Sequence, residues 1–149
     1  MAIKDIDRKI LKILQEDSRK PFRKIATELK ISEPTLYNRV KKLQEEMVIE
    51  GFTTIINPDA IGFPYLAFIM LTVEPSKEED IINKLSALPE ILELHLIFGD
   101  KNILLKIRCQ DINSVRDFIT NKIRAINGII KTESYLSIKT KKETHVIPL

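Results

Sequence analysis

SEPTLYNRVKKLQEEM, residues 32–47, is the stretch whose reading decides the fold. At 3.6 residues per turn Leu36, Val40, Leu43 and Met47 fall on one narrow stripe, while Pro34, Asn38, Lys41, Lys42 and Glu45 point the other way. Ser32 is a good N-cap, because its hydroxyl can accept from a free backbone N–H in the first turn. Pro34 sits in that first turn, where its missing N–H costs little. The outward face begins with small and polar groups and continues into two lysines. By itself such a helix is an ordinary amphipathic surface element; its neighbours change the reading.

Upstream, Asp5 is placed to cap a helix that carries Ile6, Ile10, Ile13 and Leu14 at three- and four-residue spacing. Residues 18–20 break that pattern. Pro21 then stands at the start of a second helix with Phe22, Ile25, Ala26 and Leu29 on one face. Lys30 and Ile31 leave only a tight turn before Ser32. Two helices joined so closely must cross steeply, and three short helices with a tight turn before the third are the helix-turn-helix plan. The first two apolar stripes support the third helix. Its outer face is then free to lie in the major groove, with its first turns at base edges and its lysines near phosphates.

Charge distribution agrees. The net charge of the 149 residues is only +3. Between Arg19 and Lys42, however, eight basic residues (Arg19, Lys20, Arg23, Lys24, Lys30, Arg39, Lys41, Lys42) stand against Glu28 and Glu33. A local excess of that size is the electrostatic footprint of a small phosphate-binding module. Hydrophobic residues make up 44%, enough for a packed core, and charged residues make up 30%, which argues against a membrane protein. The longest apolar run, residues 65–71, is far too short to span a bilayer. MAIKDIDRK at the start has no apolar core of a signal peptide, so a cytoplasmic location is expected. The single cysteine, Cys109, excludes an internal disulfide framework, fits a reducing compartment and reads as a buried strand thiol. Two histidines and one cysteine, far apart, give no metal-ligand spacing. No nucleophile triad, glycine-rich phosphate loop or metal cluster points to an enzyme, and no cofactor is expected. Abundant Ile, Lys and Glu with few Gln resembles a thermophile's composition.

The ordered motifs carry a more specific signal. Asp5-Ile6-Asp7 leading into Ile10-Leu11, Ile25-Ala26 in the second helix, Ser32-x-x-Thr35-Leu36-x-x-Arg39-Val40-x-x-Leu43 in the third, then Val48-Ile49-x-Gly51-Phe52, together resemble the Lrp/AsnC family of transcription regulators. The resemblance continues to the end of the chain. It implies a DNA-binding head, a connecting strand that pairs across a dimer, and a C-terminal domain for small-molecule binding and oligomerisation. Three positions depart from the family pattern. Lys30 stands where a glycine is usual in the turn, so a left-handed backbone there would cost roughly 1 kcal/mol. Asn38 replaces the first of two arginines, and Pro21 replaces a usual Ser or Thr. Arg39, on the flank of the apolar stripe, reads as a structural ion-pair partner. The DNA-binding candidates are therefore Ser32, Glu33, Thr35, Asn38, Lys41 and Lys42, with Tyr37, Arg23 and Lys24 as backbone contacts. Asn38 can pair bidentately with adenine.

Beyond this head, residues 49–57 are rich in Ile, Thr and Phe and read as a strand, stopped by Pro58. A turn-rich segment, DAIGFP, follows. Residues 65–73 form a continuous apolar run, as in a strand covered on both faces. Ser76-x-x-Glu79 reads as a capping box opening a helix with Ile81, Ile82, Leu85 and Leu88. Leu92, Leu94, Leu96 and Phe98 alternate with Glu93, His95 and Ile97 as a half-buried strand, with His95 and Glu93 facing solvent. Gly99-Asp100-Lys101-Asn102 is a turn, and Ile103, Leu105, Ile107 and Cys109 form the returning arm. Asp111 or Asn113 caps a helix carrying Val115, Phe118, Ile119, Ile123 and Ile126, and residues 129–138 make a last strand. The tail from residue 139 either adds a strand or stays loose. The fold class is thus α+β: a helix-turn-helix (winged-helix-like) domain at 1–48, a linker strand and hinge at 49–64, and a ferredoxin-like βαββαβ domain at 65–149. A sheet with both helices on one face leaves the other bare, so a dimer burying sheet against sheet is expected.

The family resemblance further implies association of dimers up to an octamer, with amino acids bound near the hairpin turn. That assigns Gly99, Asp100, Asn102, Thr132 and Ser134 as effector-binding candidates. A glycine turn offers N–H groups to a carboxylate, and an acidic side chain holds an ammonium. The family's turn is Gly-Asp-x-Asp; Asn102 here removes one negative charge and weakens the case for a plain amino acid. The expected function is sequence-specific, double-stranded-DNA-binding transcription regulation tuned by an amino acid or related metabolite. Two alternatives stand beside it: a tetrapyrrole-binding decarboxylase-like relative, for which only His95 and His145 are available, and a chromosome-architectural DNA binder.

Overall fold

A computed structural model describes residues 3–149. They divide into two compact units: one runs to Ile55 and takes in Lys142–Leu149, and the other is Ile56–Lys141.

The first unit is built on α1 (Asp5–Glu16), α2 (Phe22–Leu29) and α3 (Glu33–Glu45). Ile10, Leu11 and Leu14 of α1, Ile25 and Ala26 of α2, and Leu36, Val40 and Leu43 of α3 are buried together, joined by Ile49. Ser32 caps α3 as the sequence predicts: its Oγ accepts from the Thr35 backbone N–H at 3.2 Å. Asp5 does not cap α1. It is the first residue inside the helix, behind Lys4, and its carboxylate pairs with Lys9 at 3.0 Å. An acidic group in the first turn still faces free N–H groups there, so the position is favourable without a cap.

Two turns carry backbone strain. Lys30 adopts φ 54°, ψ 42° after α2; its N–H reaches Thr27 O at 3.2 Å and the Ile31 N–H reaches Ala26 O at 3.0 Å. Met47 repeats this after α3 with φ 55°, its N–H on Gln44 O and the Val48 N–H on Leu43 O at 2.8 Å. Both are Schellman ends in which a side-chain-bearing residue takes the place glycine prefers. The left-handed turn removes Met47 from the apolar stripe. It is 70% exposed, and Ile49 fills the core in its stead.

Residues 50–57 form no strand within the single chain. A strand needs a ladder partner, and this chain alone supplies none to Phe52, Ile55 and Ile56, which stay exposed.

The second unit is a four-stranded antiparallel sheet of β1 (Tyr65–Val73), β2 (Ile91–Leu96), β3 (Ile103–Cys109) and β4 (Ile129–Leu136), in the order β2-β3-β1-β4. With α4 (Glu78–Ser86) and α5 (Ile112–Asp117) as crossovers, it is the ferredoxin-like βαββαβ arrangement. α5 continues into a π-turn at Phe118–Ile123. The core lies between the helices and one sheet face: Ala67, Ile69, Leu71, Val73, Ile103, Leu105 and Ile107 meet Ile81, Leu85, Val115, Phe118 and Ile123. Asp111 caps α5, its Oδ1 accepting from the Ser114 N–H at 2.7 Å. The expected capping box before α4 is absent: a 3₁₀ turn at Pro75–Lys77 intervenes, and the helix starts at Glu78 with no side-chain cap.

Edge position alters β2. Leu92, Leu96 and Phe98 are exposed, and only Ile91 and Leu94 pack on the core; the register slips between Ile91 and Glu93, which takes Leu92 out of the alternation that Leu94 keeps. The face away from the helices is mixed rather than wholly apolar. Phe68, Met70 and Leu104 are half-buried there, while Lys106 pairs with Glu93 at 2.8 Å and Glu133 holds both Lys131 (2.7 Å) and Lys101 (2.9 Å). The tail adds no strand. Lys142–Leu149, which the sequence groups with the second domain, clusters with the first unit. There the Gln15 side chain donates to Ile147 O at 3.1 Å and accepts from the Ile147 N–H at 2.7 Å.

Candidate nucleic-acid interface and effector surface

The outer surface of α3 follows from its stripe. With Leu36, Val40 and Leu43 facing the core, Ser32, Glu33, Thr35, Tyr37, Asn38, Lys41 and Lys42 are all exposed. Arg23 and Lys24, in the first turn of α2, are exposed as well. Thr35, Asn38 and Lys42 border a groove of about 450 Å³ that they share with Lys4 and Asp7 at the start of α1. Arg39 closes this groove from within: its Nη1 donates to Asp7 Oδ1 at 2.9 Å, with the Asp7 side chain only 14% exposed. This pair ties α1 to α3 and fixes the tilt of the exposed face. Lys41 and Lys42 lie 3.7 and 3.5 Å from Glu45 and Glu46, one turn on. Exposed pairs of this kind are worth a few tenths of a kcal/mol, too little to withhold either ammonium from a phosphate.

In the second unit the hairpin turn is held by its backbone. Gly99 has φ 132°, a conformation that side chains disfavour. The Thr72 hydroxyl donates to Asp100 O at 3.1 Å, the Asn102 N–H reaches Leu71 O at 2.9 Å, and Asn102 Oδ1 accepts from the Val73 N–H at 3.2 Å. The Asn102 side chain is thus engaged in anchoring β1. Thr132 and Ser134 stand opposite Leu71 and Ile69, on the strand beyond β1 from the hairpin. Ser134 lines a cavity against α5 whose lining does not include the turn. Arg116, Thr120 and Arg124 line that cavity too and were not singled out in the sequence. Their four-residue spacing was the only signal available.

Lys131 and Lys101 draw the Glu133 carboxyl down to about 2, the bond from Lys131 contributing most. Burial, then the charges of Glu90 and Asp111, push the Cys109 thiol up, as befits an inert strand thiol. His95 faces solvent beside Glu93. Among the described residues no cluster of His, Cys, Asp or Glu could hold a metal ion, and no helix is long and apolar enough to cross a membrane.

A helix-turn-helix head followed by a ferredoxin-like domain defines a two-domain regulator architecture. The chain matches the AsnC-type helix-turn-helix domain over residues 4–44 and the Lrp/AsnC ligand binding domain over residues 66–147, and it belongs to the Lrp/AsnC family. It is 37% identical over 149 residues to the HTH-type transcriptional regulator FL11 of Pyrococcus horikoshii, covering all of this chain and 98% of that one. To the HTH-type transcriptional regulator Ptr1 of Methanocaldococcus jannaschii it is 40% identical over 144 residues, 97% of each. The structure of E. coli AsnC superposes with a TM-score of 0.93 at 25% identity, covering 99% of this chain and 100% of that one. These relatives are named as regulators, not enzymes, which removes the tetrapyrrole decarboxylase alternative; the Pyrococcus relatives fit the thermophilic composition.

Proposed function

We propose that this protein is a sequence-specific transcription regulator that reads duplex DNA with α3 and answers to a small metabolite bound by its second unit. The observation that carries the reading is the exposed face of α3, small and polar at its start and basic further on, set on a core that α1 and α2 complete. Thr35 and Asn38 would face base edges, Lys41 and Lys42 phosphates, and Arg23 and Lys24 the backbone of the neighbouring turn. The half-buried Phe68, Met70 and Leu104 supply the apolar centre of a face that a second copy would cover, with ion pairs at its rim. A dimer would set two recognition helices roughly 34–36 Å apart on a near-palindromic site, and further association up to an octamer is part of the same reading. So is a cytoplasmic location, where the DNA is.

The test begins with sites selected from a random DNA pool and measures affinity against salt. Each phosphate neutralised contributes about 0.9 to the logarithmic slope. Replacing Lys41 and Lys42 together with alanine flattens the slope by about 2; an unchanged slope removes them from the interface. Asn38→Ala shifts sequence preference, whereas equal losses on every sequence contradict base reading. Footprints at discrete genomic sites support regulation; uniform coverage supports chromosome compaction instead.

A further inference from the structure

The groove of about 450 Å³ in the first unit runs along the flank of α3 beside the start of α1. Thr35, Asn38, Arg39 and Lys42 line it from α3, at the three- and four-residue spacing that follows one side of a helix. Lys4 and Asp7 line it from α1. Two acids belong to the lining, and each already faces a cation: Arg39 holds Asp7 at 2.9 Å, and Lys42 lies 3.5 Å from Glu46. Lys4 is exposed and has no carboxylate partner among the described residues. It stands just before the first residue of α1, outside the basic stretch at residues 19–42. The groove therefore keeps one uncompensated ammonium, that of Lys4.

We infer that this groove seats the sugar-phosphate chain of the DNA strand that α3 reads, and that Lys4 is one of its phosphate contacts. The inference rests on the proposed regulator reading and adds a contact from outside α2 and α3. In that reading Thr35 and Asn38 face base edges. Both border the groove, so the backbone on that side of the major groove passes along its rim. A segment leading into the first helix is well placed to grip DNA beside a recognition helix, as the N-terminal arms of homeodomains do. Lys4 on one wall and Lys42 on the other then act as point charges on the phosphates. The exposed pair with Glu46 is too weak to withhold Lys42. Arg39 is a positioning residue in this arrangement. Without it the Asp7 carboxylate would stand unpaired beside the phosphates, and like charges there repel.

The test uses the full-length protein and a site selected from a random DNA pool, and measures affinity against salt. Lys4→Gln keeps a polar chain and removes the charge. It should flatten the logarithmic salt slope by about 0.9 and weaken every sequence alike. Between about 50 and 200 mM salt the gap between parent and variant should then close by about 3.5-fold. Lys4→Arg should restore the parent slope. Lys12→Gln removes an exposed ammonium of α1 outside the groove and should leave the slope unchanged. Methylphosphonates placed one at a time locate the contact: at one phosphate beside the bases that α3 reads, neutralisation should weaken the parent and leave Lys4→Gln almost unaffected. A parental slope for Lys4→Gln, when Lys41 and Lys42 replaced together still flatten it, overturns this inference alone. Equal flattening by Lys4→Gln and Lys12→Gln overturns it too, because net charge rather than a seated phosphate is then at work. Failure to select any DNA site sinks the regulator reading instead.

Discussion

Replacing Lys30 with glycine should stabilise the helix-turn-helix unit. Lys30 holds φ 54°, ψ 42° so that its own N–H and that of Ile31 can close the end of α2 on Thr27 and Ala26. A left-handed conformation costs a side-chain-bearing residue about 1–2 kcal/mol. Glycine abolishes that term but loses about 0.5–1 kcal/mol to the greater freedom of the unfolded chain. The net gain is therefore about 0.5–1 kcal/mol, on the order of 4 °C in the melting of a unit this small. The lysine charge is a confounder, since Lys30 lies in a basic stretch. Lys30→Ala removes the charge and keeps the strain, so it should stay within about 0.5 kcal/mol of the parent. The assay is amide hydrogen exchange in the intact protein, with the Ile25 and Leu36 amides reporting on the first unit and Leu105 on the second. The glycine variant should slow exchange at Ile25 and Leu36 only. A glycine variant no more stable than the alanine variant would refute the strain argument, and with it the same expectation for Met47→Gly at φ 55°.

Three further outcomes follow from the packing and charges. Leu36 is fully buried where the three helices meet, so Leu36→Ala should cost about 2–5 kcal/mol in denaturant unfolding and abolish DNA binding at growth temperature. Asn102→Ala should cost about 1–2 kcal/mol by leaving the Val73 N–H without its acceptor, while Asn102→Asp, which keeps an oxygen there, should be close to neutral by the same measurement. The Glu133 carboxyl, held at about 2 by Lys131 and Lys101, should titrate near that value by NMR. Because its folded value lies below the ordinary one of 4.5, its contribution to stability is present above pH 4.5 and fades as pH falls toward 2. Lys131→Ala should move the titration upward, and an unmoved curve would show that the ion pair does not form in solution.

Much of this protein is legible in the order of its residues, and particular elements show why. The stripes through Ile10, Ile25 and Leu36 are local periodicities, and a helix exposes its inward face to anyone counting threes and fours. The same holds for the caps at Ser32 and Asp111, whose hydrogen bonds span three residues, and for the alternation through β3. The exposed candidates on α3 were read correctly as a surface because solvent faces whatever the stripe does not. Lys30 in the turn could be suspected from the family pattern but not measured without a backbone.

Other features depend on residues far apart in sequence, and only the tertiary structure decided them. The slip in β2 that takes Leu92 out of the alternation depends on which strand it meets. The removal of Met47 from the core depends on how α3 ends, and the absence of a strand at residues 50–57 on a ladder partner the chain does not itself provide. Arg116, Thr120, Arg124 and Ser134 form a cavity only once β4 lies beside β1 and α5 crosses over it. Sequence by itself determined the apolar stripes of the helices, the alternation along β3 and the basic exposed face of α3, because these are patterns a few residues long. Register and the arginine-lined cavity rest on non-local pairing, whose outcome is set by chain closure and packing rather than by any local pattern.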